Sequence, residues 1–237
     1  MRSGDRFIRE FNKLENLLRR KAGTSEHRTF SKLVDIVADR DPTVRRRKDL
    51  LKGFGRLRNA IVHHPEYPER ILADPRPEIV EELVRVLKDI DAPEKLIPRF
   101  HKRIRIFAVS DSLVECLNFM EENDFSQVVV ASNGRYVLLS SEGIVGWLRS
   151  ARDVGLADLG EATVGDALRF EGEDNCRYLS QYKPVDAAID TFEQALAQGI
   201  PRLQAILVAQ NGRAEEKPLG IITPWDLLGS VSSNELA

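Results

Sequence analysis

The second half of the chain states one pattern twice. An Asn-Gly pair at Asn133-Gly134 separates two short apolar runs, Ser126 to Ala131 and Tyr136 to Leu139, and a short helical stretch, about Glu142 to Ser150, follows. Roughly 80 residues later, Asn211-Gly212 separates Ala205 to Ala209 from Leu219 to Ile222, and a helical stretch through Gly229 follows. Each copy is preceded by a strand-like run, at 104–109 and 175–181, and an apolar helix, at 113–122 and 184–198. Asn-Gly between alternating apolar residues is a hairpin signal, because both turn positions tolerate positive φ. Ser110-Asp111 reads as the cap that opens the first of the helices. The recurrence makes the second half one α/β module built from two copies of one unit.

The first half is different in kind. Phe7, Phe11, Leu14 and Leu18 recur at steps of three or four, which predicts a helix over 5–22 that ends at Gly23-Thr24-Ser25. Phe30, Leu33, Val34 and Val37 predict a second helix. Asp41-Pro42 is a helix start, and a third helix is expected from Thr43 to His63, stopped by the pre-proline residue His64. A proline-rich loop follows, and a fourth helix is expected over 77–90, burying Ile79, Leu83, Val86 and Leu87. The expected architecture is an α plus α/β two-domain chain. Its parts are a four-helix bundle over 1–92, a linker over 93–103, and repeats over 104–155 and 156–237.

Charge follows the same division. The 237-residue chain has a formal net charge of -2. Residues 1–105 hold 26 Lys and Arg against 17 Asp and Glu, and residues 106–237 hold 9 against 20. A basic half joined to an acidic half points to different partners for each, or to mutual attraction of the halves. No stretch reaches the roughly 18 to 20 apolar residues of a membrane span, and the amphipathic N-terminus has no apolar signal core. The two cysteines, Cys116 and Cys176, have neither metal nor redox spacing. A cytoplasmic setting without membrane partners, and no metal, is the expectation.

The second repeat closes on Leu219-Gly-Ile-Ile-Thr-Pro-Trp-Asp-Leu-Leu228. This resembles the closing signature of a CBS domain, in which a strand runs into Thr/Ser-x-x-Asp and then a helix. With the first repeat the resemblance covers roughly residues 100–235. It implies a CBS pair whose sheets pack together around clefts that hold an adenine nucleotide (AMP, ADP or ATP) as regulatory ligand. The residue chemistry is compatible. A helix N-terminus favours phosphate, the Thr223 hydroxyl can bond phosphate or ribose, and the Asp226 carboxylate can accept from both ribose hydroxyls. Ile221 and Pro201 can face the base, and Arg202, just before the central strand, can line a phosphate site. Tyr178, Tyr182 and Lys183 are further candidates. The alternative is that Thr223 is only an N-cap and Asp226 a first-turn acid. In the first repeat Ser140 stands opposite Thr223, but Gly143 stands opposite Asp226. One good nucleotide site per pair is expected.

The third helix ends on Arg58-Asn59-Ala-Ile-Val-His63, an RN-x-x-x-H string. It resembles the motif of the HEPN family of small helical bundles, over about residues 5–92. The resemblance implies a metal-independent ribonuclease working as a homodimer whose motifs face each other. His63 would be general base on a ribose 2′-hydroxyl, Arg58 would stabilise the phosphorane-like charge, and Asn59 would orient either group. The expected products are a 2′,3′-cyclic phosphate and a 5′-hydroxyl. On an ideal helix Arg58 and His63 lie about 140° apart, whereas Asn59 and His63 share a face. The alternative is structural, with Asn59 and His63 closing the helix and Arg58 paired with an acid such as Glu15. The run Arg45-Arg46-Arg47-Lys48, with Lys52 and Arg56, reads either as an RNA-facing patch or as a solvated face. Two functions therefore stand side by side. One is a nucleotide-regulated ribonuclease with RNA as partner. The other is a non-catalytic adenine-nucleotide-sensing regulator whose helical module binds a partner or RNA.

Overall fold

The apolar stripes of the first half become helices in the computed structural model, which describes residues 2–24, 28–62, 74–153, 159–172, 174–200 and 202–231. The chain divides into two compact units, residues 1–94 with 184–187, and residues 95–183 with 188–237.

In the first unit, α1 (Ser3–Ala22) buries Phe7, Phe11, Leu14 and Leu18. It stops at Gly23, whose left-handed φ of 62° costs a glycine nothing. Thr29 caps α2 (Phe30–Ala38). Asp41 caps α3 (Pro42–Arg46) by accepting from the Thr43 and Val44 N–H groups, with Pro42 in the first turn. The single helix expected over Thr43–His63 is in fact two, because the ladder breaks at Arg47. There the N–H turns to the Val44 and Arg45 carbonyls and φ is -105°. The Arg47 guanidinium also takes the Thr43 carbonyl at 3.1 Å, which an α-helical N–H would otherwise use. After the break, α4 (Lys48–Val62) buries Leu51, Phe54 and Ile61. Packed mainly on α1, α5 (Pro77–Asp91) buries Val80, Leu83, Val86 and Ile90, a stripe slightly rotated from the one expected, with Ile79 and Leu87 half-buried at its edge. Each large apolar side chain fully buried here contributes about 1.5–3 kcal/mol.

The second unit opens with a short turn, α6 (Leu96–Arg99), and then builds two copies of one β-α-β-β-α order. The first copy is β1 (Ile106–Ala108), α7 (Leu113–Glu122), β2 (Gln127–Ser132), β3 (Arg135–Ser140) and α8 (Ser141–Asp153). A five-residue helix, α9 (Val164–Leu168), leads into the second copy. That copy is β4 (Cys176–Ser180), α10 (Val185–Ala197), β5 (Ala205–Ala209), β6 (Gly220–Ile222) and α11 (Pro224–Val231). Each copy has a three-stranded sheet with its middle strand parallel to the first and antiparallel to the last. This is the tandem arrangement that the CBS resemblance implied.

The two sheets face each other. Val128, Val130 and Leu139 point to the helices of their own copy, while Val129 and Leu138 point to Cys176, Ala205 and Leu207 of the other. Burial on both faces explains why β2 and β5 are continuous apolar runs rather than alternating ones. Polar bonds fix the register between the copies. The Tyr178 hydroxyl donates to the Tyr136 carbonyl at 2.7 Å, and Asn175 Nδ2 donates to the Leu138 carbonyl at 3.2 Å. The Asn-Gly pairs differ in use. Asn133 and Gly134 both have positive φ, as a tight hairpin requires. The second pair lies in a longer connection, where the Asn211 amide groups bond Glu216. A Cβ on Gly212 would come within 2.6 Å of the Ser180 nitrogen, so glycine serves close approach there rather than a two-residue turn.

Candidate functional site

At the end of β6 the chain turns into α11 through Thr223, Pro224, Trp225 and Asp226. The Thr223 N–H and hydroxyl both donate to Asp226 Oδ2, each at 2.8 Å. This is a capping arrangement, so the two residues do fill the structural role. They also line a cleft of about 480 Å³ together with Ile221. The opposite wall comes from the approach to β1, with Lys102, Arg103, Ile104 and Arg105, and from Phe125 to Val129 at the start of β2. Trp225 is 79 % exposed and Phe125 50 % exposed, so two aromatic rings border the cleft without being part of the core.

Charge in the cleft is organised around Asp226. Lys102 Nζ lies 2.9 Å from Asp226 Oδ1. Burial alone would raise the Asp226 carboxyl, but the bonds from Thr223 and Lys102 outweigh it and hold the group below the usual carboxylate range. The cleft therefore presents a carboxylate, lysine and arginine side chains and aromatic surface within one volume.

A second, smaller cleft of about 270 Å³ lies at the equivalent place in the first copy, and its contents are reversed. The Glu171 carboxylate sits at the start of α8, accepting from the Ser140 N–H at 2.7 Å and from the Ser140 hydroxyl at 2.9 Å. Ser140 is fully buried. A Cβ on Gly143 would lie 2.5 Å from Glu171 Oε2, so the glycine opposite Asp226 leaves room for this carboxylate. Arg202 lines this second cleft and pairs with Glu142 at 2.9 Å, away from Thr223 and Asp226. Pro201 lies outside the described residues.

In the first unit, Arg58 and Asn59 come together on a cavity of about 510 Å³ that Arg28, Lys52 and Arg56 also line, with Phe11 and Phe30 as apolar surface. Arg58 Nη1 donates to Asn59 Oδ1 at 3.3 Å. Arg58 Nε is buried with no hydrogen-bond partner among the described residues. Glu15 is on the same cavity, but its ion pair is with Arg19 at 2.9 Å. His63, third member of the motif, lies outside the described residues. Much of the neighbouring basic run is already paired. Lys48 and Lys52 both reach Asp35 at 2.8 Å, Arg47 reaches Asp89 at 3.2 Å, and Arg45 binds the Ala38 and Asp39 carbonyls.

Among the described residues no group of three or more His, Cys, Asp or Glu is placed to hold a metal ion, and no helix is long and apolar enough to cross a membrane. Cys116 and Cys176 are free, and burial pushes each thiol up to about 11, which leaves them unreactive at neutral pH.

Ile221, Thr223 and Asp226 are readable from the sequence as candidates, whereas Lys102, Phe125 and Trp225 join them only as lining of the same cleft. The signal for the first was the string Lys102-Arg103-Ile104-Arg105 directly before a strand. For Trp225 it was an aromatic residue inside the Thr-x-x-Asp motif itself.

No family model matches the chain, and no curated protein matches it in sequence. Solved structures do. The structure of CBSX2 in complex with AMP is 13% identical, with 59% of this chain and 97% of that one covered and a TM-score of 0.42. A CBS domain pair in complex with 5′-methylthioadenosine and S-adenosyl-L-methionine is 12% identical, over 60% of this chain and 99% of that one, with a TM-score of 0.43. An uncharacterized conserved protein from Pyrococcus horikoshii is 21% identical, over 61% and 96%, with a TM-score of 0.41. At these scores the likenesses are weak, and the site is read from its own residues.

Proposed function

We propose that the protein is an adenine-nucleotide sensor that binds its ligand in the cleft between the start of α11 and the approach to β1, with the helical unit as the module that engages RNA or a partner. The observation that carries this is the gathering, in one cleft, of the three things a ribonucleotide needs. Asp226 can accept from ribose hydroxyls, Lys102 and Arg103 can meet phosphate, and Trp225 and Phe125 offer faces to a purine. One occupied cleft per chain is expected, because the equivalent place at Ser140 holds Glu171. Titration of the full chain with AMP, ADP and ATP tests the reading. Asp226→Ala is expected to weaken binding about 10-fold or more, the value of a hydrogen bond to a charged group. If no adenine nucleotide binds, the reading is wrong.

A second reading concerns the helical unit. Arg58 and Asn59 share a cavity with further cations, and the buried Nε of Arg58, which has no partner among the described residues, favours an anionic occupant there. With His63 as base and two chains paired, the cavity would cleave RNA without metal. Mixed RNA incubated with chelator is expected to yield 2′,3′-cyclic phosphate ends, and His63→Ala to lose the activity. Persistent cleavage by that variant removes the catalytic part and leaves RNA binding.

A further inference from the structure

We infer that Lys102 is a specificity gate that makes this cleft select phosphorylated nucleosides over the free nucleoside. The inference rests on the nucleotide reading above. Of the two Asp226 oxygens, Oδ2 is used by its own turn, receiving the Thr223 N–H and hydroxyl at 2.8 Å each. Oδ1 is what remains for a ligand, and Lys102 Nζ occupies it at 2.9 Å. A ribose diol that reaches Asp226 therefore has to displace an ammonium group. What becomes of that ammonium decides the selectivity.

The displaced group cannot be left without an anion at no cost, and the other groups facing it are poor substitutes. Arg103 and Arg105 line the same wall and repel it, with the Arg105 guanidinium over the Phe107 and Phe119 rings at 4.5 and 5.0 Å. Asp124 is the other acid on the cleft, but it is exposed, so an ammonium that turned to it would gain only the small value of a solvated ion pair. A nucleoside brings only the diol. A nucleotide brings the diol and, on the same molecule, a phosphate that the freed ammonium can bind with a charge-assisted bond. The lysine is suited to the exchange. Its backbone N–H is fixed to the Leu219 carbonyl at 3.2 Å, while its four-carbon stem is half exposed and free to swing.

Lys102→Met is the test, read by calorimetry on the full chain with AMP and adenosine as probes. Removing the competitor is expected to tighten adenosine about 2- to 5-fold, the value of an exposed ion pair. Removing the phosphate partner is expected to weaken AMP about 10-fold or more. The two ligands move in opposite directions, which a merely structural role for Lys102 would not produce. Lys102→Arg, which keeps the cation, is expected to keep the preference for AMP. An AMP-to-adenosine ratio that stays within about 2-fold in Lys102→Met, or both ligands weakening together, overturns the gate. In that case AMP binding that is still lost in Asp226→Ala leaves the nucleotide reading standing. Binding of neither probe by the wild type overturns both.

Discussion

At Gly55 the missing side chain is what lets the Phe30 ring lie on α4. A Cβ there would stand 2.9 Å from Phe30 Cδ1, and that ring in turn lies tilted against the Phe11 ring, 4.5 Å between centroids. Two effects oppose each other in Gly55→Ala. Helix propensity gains at most about 1 kcal/mol, and overpacking costs about 1–3 kcal/mol. A net loss of about 1 kcal/mol in urea unfolding is expected, whereas a gain would mean that Phe30 yields freely. A second residue, Asp35, predicts a pH dependence. Lys48 and Lys52 hold its carboxyl down at about 2, from an ordinary 3.8. A depressed acid stabilises the fold above its unfolded value and loses that contribution as pH falls through its folded value. The difference between wild type and Asp35→Asn is thus expected at neutral pH, shrinking below about pH 4 and mostly lost by about pH 2. With the side chain 35% exposed, solvent screening keeps it below about 1 kcal/mol. A difference as large at pH 2 as at pH 7 would show that the effect is not the ion pair.

The start of a helix is the element at which the two copies diverge, and the carboxylate that accepts from the hydroxyl residue at the end of the strand reaches it by a different route in each. In α11 it is Asp226, from within the helix, answered by Lys102 from the approach to β1. In α8 the helix has Gly143 instead, and the carboxylate is Glu171, from the approach to β4. Glu171→Ala leaves the buried Ser140 N–H and hydroxyl without an acceptor, which is expected to cost about 1.5–3 kcal/mol. Acetate should enter the vacated place and raise the melting temperature of the variant, but not of the wild type, relative to equal chloride. Equal responses of the two would mean that Glu171 holds no such seat. How far elements could be read from sequence follows from the same local logic. The strands were legible because β2 and β5 are unbroken β-branched or apolar runs, and β5 is found at the residues expected. The α3–α4 break was not, since Arg47 is an ordinary helix former and the bond that ends the ladder is made by its own side chain. Five-residue α9 shows no periodicity, although its capping pair Thr163 and Asp166 repeats the Thr-x-x-Asp spacing of the site. Glu171 was missed because its partner lies 31 residues away.

At the scale of the whole chain, the charge division drawn at residue 105 separates basic from acidic sequence but cuts through the site. Lys102, Arg103 and Arg105 count with the basic half, yet they face the otherwise acidic second unit, and without them its cleft would repel a phosphate. Function therefore crosses a boundary that composition alone suggests. A sensor has one further obligation. A ligand shifts an equilibrium only by its differential affinity for two states, so nucleotide bound at α11 regulates the helical unit only if that unit differs between the states. Hydrogen exchange on the full chain with saturating AMP is the measurement. Slower exchange is expected at 102–106 and 223–228, which line the proposed site, and a change in either direction in α4, which carries Arg58 and Asn59. An effect confined to the second unit would reduce that unit to a binding module and remove regulation from its function. A response in α4 that disappears in Asp226→Ala would tie the two to one ligand.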